Sequence, residues 1–232
     1  MKYDLLFISP HLDDVVYSCS QMIRKQVKNN RILVVTIFTH YPENNNDNPF
    51  LNGDLRIKED KTALSSLGVD YMNLHYSELM IRNNMSNYNF FQQIIEPIKT
   101  LLYLGNDNYL TYNIHYDIQK IINDYSIKET YYPGAIGFHP DHILTYRSCY
   151  NLRNTKLFCY EEFPYSIHWI YKYIRIPFIK SNNTITVKVD TQDKMKDIMN
   201  YKSQYNIMFM NDDLINILKN YYEIYYHINI KK

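Results

Sequence analysis

Glycine and cysteine are scarce in this chain of 232 residues. It has five glycines, and none of them forms the G-x-G-x-x-G or G-x-x-x-x-G-K pattern in which flexible backbone surrounds phosphate groups. This absence argues against the common dinucleotide-binding and P-loop sites. The three cysteines, Cys19, Cys149 and Cys159, form no C-x-x-C pair. We therefore expect no disulfide framework and a reducing, cytoplasmic location.

The chain also lacks a strong net charge and a long hydrophobic run. Its formal charge is +1, which gives no indication of a nucleic-acid partner or of an anionic membrane surface. No stretch approaches the roughly 20 apolar residues that cross a bilayer, and the apolar run at residues 5–9 is too short for a signal peptide. The sequence therefore predicts a soluble protein with no membrane span.

Strand-like and helix-like patterns alternate along the chain. Residues 3–9 have the pattern of a buried strand, and residues 31–40, rich in β-branched side chains, that of a second one. Asp54 is suited to cap a helix over 55–67 that ends at Gly68 in the left-handed conformation. The remaining predicted elements are a weak strand at 71–75, a helical stripe at 90–102, a helix at 114–122 and a strand at 129–132. This alternation predicts an α/β domain with a mostly parallel central sheet flanked by helices.

Two clusters of polar residues follow predicted strands. The segment SPHLDD ends the first strand, and GFHPDH follows the strand at 129–132, with Pro140 suited to the first position of a helix. The side chains concerned are His11, Asp13, Asp14, His139, Asp141 and His142. Because ligands gather beyond the carboxyl ends of parallel strands, both clusters should meet at one edge of the sheet. Imidazole and carboxylate without thiolate suit Zn²⁺, with Fe²⁺ as the alternative.

Together these segments resemble the LmbE/PIG-L-type N-acetylglucosaminyl deacetylases, a family of metal-dependent amide hydrolases with a Rossmann-like fold. Three further segments are similar to family elements: LRIKEDKTALSSLGV at 55–69, FCYEEFPYS at 158–166 and YKSQY at 201–205. The resemblance extends from about residue 3 to residue 209, in the expected order. It implies a single deacetylase-like domain over residues 1–232, with its active site at the carboxyl ends of the strands.

The resemblance also implies roles for individual residues. His11, Asp14 and His142 would hold the metal, Asp13 would be the general base, and His139 would be the charged partner of the reacting carbonyl. Either Asp13 or His139 would then return a proton to the leaving amine. We expect Asp141 to orient one of the histidines. Arg56 is a candidate substrate contact, although pairing with Glu59 on a solvated helix face is an equally simple interpretation.

Three functions agree with this pattern. The first is removal of an N-acyl group, in the first instance acetyl, from a small amino sugar or glycosylated metabolite. The second is the same reaction on an N-acylated peptide or polyamine of secondary metabolism. The third is a catalytically silent metal- or sugar-binding module, against which the intact Asp13 argues because a structural metal site needs no adjacent base.

Two later segments have less specific patterns. Residues 165–180 interleave aromatic and basic side chains, so that 165–190 is expected to form a lid over the substrate or a hairpin packed on the domain. The tyrosine-rich stretch at 211–232 is predicted to be a C-terminal helix that covers the sheet or forms a homo-oligomer interface.

Overall fold

The computed structural model describes residues 2–41, 52–82, 108–179, 181–209 and 213–228. Strands from these residues form one mixed sheet: β1 Leu5–Ser9, β2 Ile32–His40, β3 Asp70–Ser77, β4 Glu129–Pro133, β5 Lys156–Tyr160, β6 Ser181–Lys188 and β7 Tyr222–Ile228. The spatial order is β3-β2-β1-β4-β5-β7-β6. Neighbouring strands from β3 to β5 are parallel, whereas β7 runs antiparallel to both β5 and β6. The predicted α/β class with a mostly parallel sheet is confirmed.

The order of the strands reverses direction between β1 and β4. From β1 the chain proceeds outward through β2 to β3, and then returns to the other side of β1 to form β4. Such a reversal leaves a crevice beyond the carboxyl ends of the two central strands, because their following loops diverge. The two polar clusters follow β1 and β4, so the topology directs both into this crevice.

Helices cover both faces of the sheet. The described helices are α1 Asp14–Gln26, α2 Gly53–Leu67, α3 Leu79–Arg82, α4 Asn108–Tyr125, α5 Pro140–Cys149, α6 Trp169–Arg175, α7 Thr191–Ile198, α8 Lys202–Met208 and α9 Leu214–Lys219. One buried cluster contains apolar residues of α1 and α2, and a second contains those of α4 and α5. Every residue of β1 is buried, and side chains of this strand contribute to both clusters, as expected for a central strand covered on two sides. None of the described helices combines the length and apolar character of a membrane span.

The predicted ends of two helices were partly correct. Gly68 has a φ of 72° and caps α2 in the left-handed conformation, which confirms that prediction. The proposed cap at Asp54 was wrong, because α2 begins at Gly53 and the side chain of Asn52 accepts the hydrogen bond from the backbone N–H of Leu55. Pro140 is the first residue of α5, as predicted. The helical stripe predicted at 90–102 lies outside the described residues.

The predictions for the C-terminal third need correction. Residues 222–228 form a strand and not a helix, because their alternate residues Glu223 and Tyr225 are buried, a period of two that suits a sheet. Residues 165–178 form two 3₁₀ turns on either side of α6, so this stretch is not a hairpin. The strand that follows this stretch, β6, pairs with β7. A lid role for 165–190 stays a prediction.

Candidate active site

The structure brings the two polar clusters together in the crevice between β1 and β4. Oδ2 of Asp141 lies 3.1 Å from Nε2 of His11, and Oδ2 of Asp14 lies 3.2 Å from Nε2 of His142. The rings of His11, His139 and His142 are 5.1 to 5.3 Å apart, centroid to centroid. Three histidines and three aspartates from opposite halves of the fold therefore share one site, as the sequence predicted.

The geometry around Asp14 fits a divalent metal ion. Its Oδ2 atom lies 3.2 Å from Nδ1 of His11 and 3.2 Å from Nε2 of His142. Ligand atoms of a tetrahedral zinc site, each about 2.0–2.1 Å from the ion, are about 3.3 Å from one another. The separation of the carboxylate oxygen from each of the two ring nitrogens thus matches that between two ligand atoms of such a site. One nitrogen each of His11, His139 and His142 also lies within 4.8 Å of the other two, so His139 is a further candidate ligand.

Two of the histidines are held by a carboxylate on their other side. Nε2 of His11 contacts Asp141, so that Nδ1 is the atom directed at Asp14. Nδ1 of His142 lies 3.2 Å from Oε1 of Glu162, so that Nε2 is the atom directed at Asp14. Histidines that bind metals commonly donate their second N–H to a carboxylate, which fixes the ring orientation. His11 and His142 therefore have the environment of metal ligands.

The electrostatic field at these two histidines favours positive charge. Burial by itself would lower the pKa of His11, but the carboxylates of Asp14 and Asp141 outweigh it and raise the pKa to about 10. Burial likewise opposes protonation of His142, whereas Asp14 and Glu162 raise its pKa to about 9. A field that holds a proton on both rings also attracts a metal cation to the space between them.

Asp13 is buried beside Asp14 and has a strained backbone. Burial, and then repulsion by Asp14, raises the pKa of Asp13 to about 8. Its φ of 149° is rare for any residue but glycine, and such conformations cost about 1–3 kcal/mol. Ala135 and Phe138, which precede the second cluster, also have positive φ values of 58° and 56°. Strained backbone thus flanks both halves of the site, as is frequent in catalytic centres.

His139 differs from the other two histidines. Burial, and then the positive charge favoured at His11, lowers the pKa of His139 to about 3. This shift favours a neutral ring in this arrangement, whereas the sequence led us to expect a charged one. Among the described residues, no hydrogen-bond partner faces its buried Nδ1 atom. A neutral imidazole with an unpartnered nitrogen remains able to donate one hydrogen bond to a bound molecule.

Arg56 points into the site and not toward solvent. Its side chain is buried, its Nη1 atom lies 3.8 Å from Oε2 of Glu78, and its guanidinium lies 5.3 Å from the ring centroid of Tyr41. Glu59, the alternative partner, instead accepts hydrogen bonds from the backbone and hydroxyl of Ser203. The interpretation of Arg56 as part of a solvated ion pair was therefore wrong.

Sequence reasoning missed two acidic residues of the site. Glu162, which contacts His142, belongs to the segment FCYEEFPYS, but its neighbour Glu161 is chemically identical and nothing local distinguishes the two. Glu78 follows β3, and its Oε2 atom lies 3.9 Å from Nε2 of His11, while Oε1 is buried without a hydrogen-bond partner in the described part of the chain. The position of Glu78 directly after the parallel strand β3 was the available signal.

Comparison with known protein families gives one match. A family model described as PIG-L, GlcNAc-PI de-N-acetylase, matches residues 6–152, which is more than half of the chain. Both polar clusters lie inside that range. A search of curated protein sequences finds no significant match.

Solved structures share the fold. A teicoplanin deacetylase in its zinc-inhibited form has a TM-score of 0.75 at 19% identity, with 96% of this chain and 97% of that chain covered. The deacetylase of the A40926 pseudoaglycone has a TM-score of 0.73 at 20% identity and full coverage of both chains (100% each). The N,N'-diacetylchitobiose deacetylase from Pyrococcus horikoshii has a TM-score of 0.52 at 17% identity, covering 87% of this chain and 70% of that one. At these identities the likeness establishes the architecture.

Proposed function

Because the chain belongs to the PIG-L (GlcNAc-PI de-N-acetylase) family, we propose that it is a metal-dependent N-deacetylase, an amide hydrolase that acts on an amino sugar or glycosylated metabolite. The observation that carries this proposal is the position of Asp14 between His11 and His142, 3.2 Å from a ring nitrogen of each, with Asp13 adjacent to it. This arrangement offers a metal site and a potential base side by side in the crevice of an α/β sheet.

We assign the metal to His11, Asp14 and His142, and leave His139 free. Both assigned histidines have a carboxylate on the nitrogen that faces away from Asp14, namely Asp141 and Glu162. His139 has no such support, and its buried Nδ1 atom is unpartnered among the described residues. Two imidazoles and one carboxylate form a donor set that suits zinc and keeps a fourth position open, and Fe²⁺ is the alternative ion.

Each remaining polar group then has a role in hydrolysis of the amide. When bound, the metal polarises the amide carbonyl and acidifies water. Asp13, next to Asp14 but outside the assigned ligand set, accepts a proton from the attacking water and returns it to the nitrogen of the leaving amine. His139 donates a hydrogen bond from its neutral ring to the carbonyl oxygen as negative charge develops there. The products are a carboxylate and a free amine.

The substrate class follows from the family and from the polar lining of the site. The matching family is described as a GlcNAc-PI de-N-acetylase, and the similar solved structures are deacetylases of teicoplanin, of the A40926 pseudoaglycone and of N,N'-diacetylchitobiose. Arg56 and Glu78, both buried beside His11, provide a donor and an acceptor for sugar hydroxyl groups. We therefore propose an N-acetylated amino sugar, free or attached to a larger molecule, that reaches the enzyme in the cytoplasm.

The experiment measures amine release from N-acetylglucosamine glycosides by the zinc-loaded protein. Asp13→Asn should retain the metal and lose about 10²–10⁴-fold in kcat, the usual scale for removal of a general base. Asp54→Asn, an exposed carboxylate at the start of α2, is the matched control and should match the wild type. If Asp13→Asn keeps a normal kcat with the metal bound, the proposed base is wrong.

The same assay separates the alternative functions. N-acetylated polyamines and N-acetylated peptides, offered in parallel, should be hydrolysed at least tenfold more slowly if Arg56 and Glu78 recognise a sugar. If either of these is hydrolysed faster than the sugar, the proposed substrate class is wrong, whereas the proposed amide hydrolysis is retained. Metal binding without hydrolysis of any of the three would favour the catalytically silent module.

A further inference from the structure

Glu162 contacts both a proposed metal ligand and the backbone that leads to His139. We propose that Glu162 is a positioning residue that holds His142 in the one tautomer able to bind the metal and simultaneously fixes residues 134–136. This inference rests on the proposed metal site, but not on the identity of the substrate or on catalysis.

The carboxylate of Glu162 is completely buried and surrounded by donors. Oε1 lies 3.2 Å from Nδ1 of His142. Oε2 accepts hydrogen bonds of 3.2 Å from the backbone N–H groups of both Gly134 and Ile136. All three contacts require an acceptor on Glu162, which a carboxylate provides on both oxygens.

The tautomer of His142 follows from these contacts once Asp14 holds the metal. A neutral imidazole has one N–H and one acceptor nitrogen. Both ring nitrogens face a carboxylate oxygen at 3.2 Å, Nδ1 that of Glu162 and Nε2 that of Asp14. A metal held by Asp14 would need the lone pair of Nε2, so the proton of the neutral ring would then reside on Nδ1, where Glu162 accepts it. Without the acceptor at Glu162, nothing among these contacts would select this tautomer over the one that protonates Nε2.

The backbone contacts connect this ligand to the second cluster. Residues 134–136 form the turn between β4 and His139, and Ala135 within it has a positive φ of 58°. While Glu162 binds two N–H groups of this turn, Nε of Arg175 donates a 2.7 Å hydrogen bond to the carbonyl oxygen of Gly134. The strained turn is therefore held from both sides by side chains that come from beyond β5.

Glu161 provides a matched control. It is adjacent to Glu162 and as deeply buried. Its carboxylate, however, forms an ion pair with Lys172 and accepts a hydrogen bond from the hydroxyl of Tyr226, and these contacts do not involve His142. Glu161→Gln therefore removes one buried negative charge from the same segment, as Glu162→Gln does, but it removes no contact with the proposed site.

The test is the metal affinity of Glu162→Gln and Glu161→Gln, measured by competition of the protein with a zinc chelator. Glutamine has the shape of glutamate but one acceptor only, so either orientation of its amide opposes an N–H₂ group to a donor, at Nδ1 of His142 or at the backbone. We expect Glu162→Gln to bind zinc about 10–100-fold more weakly, the scale found for supporting residues of metal sites. Glu161→Gln should bind within about twofold of the wild type. Equal affinities for the two variants would overturn the proposal.

A measurement on the wild-type protein decides the matter if Glu162→Gln does not fold. Nitrogen NMR of the histidine rings in the zinc-loaded protein identifies which nitrogen of His142 carries a proton. We expect a protonated Nδ1 and a metal-bound Nε2; the reverse assignment contradicts the proposal. Neither readout depends on turnover, so an absence of deacetylase activity would refute the proposed function and leave this inference standing.

Discussion

The Nε2 atom of His11 lies 3.1 Å from the Oδ2 atom of Asp141, although 130 residues separate them in the sequence. The same carboxylate accepts hydrogen bonds from the backbone N–H of Leu79 and from the guanidinium of Arg82. Burial opposes its ionisation, but these contacts with His11 and Arg82 hold the pKa of Asp141 below its usual range. Asp141 therefore remains a carboxylate and joins the ends of β1, β3 and β4.

Asp141→Asn should weaken metal binding without unfolding the protein. The asparagine has one acceptor oxygen for three donors, so its NH₂ group faces a donor in either orientation, His11 in one and Arg82 in the other. The charge that favours the present orientation of the His11 ring is lost in both. We expect a loss of zinc affinity of about tenfold or more. Asp124→Asn, which removes an exposed carboxylate paired with Lys120, is the control and should have no effect. Unchanged affinity in Asp141→Asn would show that His11 does not depend on this contact.

A buried ion pair connects α7 to β7 behind the site. Nζ of Lys194 lies 2.7 Å from Oε1 of Glu223, and both side chains are inaccessible to solvent. The same Nζ donates to the carbonyl oxygen of Val16 and to Oγ of Ser20, in the helix that begins at Asp14. The pair therefore fixes α1 against the sheet.

Lys194→Met should destabilise the fold by about 3–5 kcal/mol, because it leaves the carboxylate of Glu223 buried without its counter-ion. The double variant Lys194→Met, Glu223→Gln should be more stable than the single one, since no buried charge then remains. Chemical denaturation measures both free energies of unfolding. Lys196→Met, on the exposed face of the same helix, is the control. A single variant no less stable than that control would refute the prediction.

Asp60 predicts a pH-dependent stability. Burial raises its pKa to about 7, compared with about 3.9 in an unfolded chain. The hydroxyl of Tyr201, which donates a 2.6 Å hydrogen bond to Asp60, lowers the pKa but does not outweigh burial. The native state therefore binds the proton more tightly. The stability that this group contributes is greatest at low pH, decreases as the pH rises from about 4 to about 7, and does not change further above that window.

Asp60→Asn removes this titration. Relative to the wild type, the variant should be more stable at about pH 8 than at about pH 5, with a difference in slope of up to about 1.4 kcal/mol per pH unit between pH 4 and 7. Urea unfolding at the two pH values measures the difference. The exposed Asp54→Asn serves again as the control. The same stability difference at both values would show that Asp60 ionises normally in the native state.

Gly137 is required by the close approach of Tyr165. A Cβ atom at this position would lie 2.2 Å from Cδ1 of Tyr165, whose ring in turn packs edge-on against His142 at 5.6 Å between centroids. Gly137→Ala should therefore displace Tyr165 or the turn before His139, and lower both zinc affinity and kcat. Adding Tyr165→Ala should restore part of the zinc affinity by removing the clash. Additive losses in the double variant would mean that the two residues do not interact.

The location of the site could be predicted from the sequence because it depends on local patterns. A buried strand followed directly by SPHLDD, and a second strand followed by GFHPDH, determine where these side chains emerge, since the carboxyl ends of parallel strands share an edge. Among the described residues, the helix predicted at 211–232 forms only at 214–219, for the opposite reason. Its tyrosines and isoleucines suit either structure, and pairing with both β5 and β6 made residues 222–228 a strand.

The chain by itself therefore determined which histidines and aspartates meet and at which edge of the sheet they lie. Only the tertiary structure decided the surroundings of each one: which nitrogen of His11 and His142 faces Asp14, that burial disfavours a charged His139, and that the side chain of Arg56 is buried. The physical reason is that a ring orientation or a pKa depends on the groups packed around it. Those groups, such as Asp141 for His11 and Glu162 for His142, are 130 and 20 residues away along the chain.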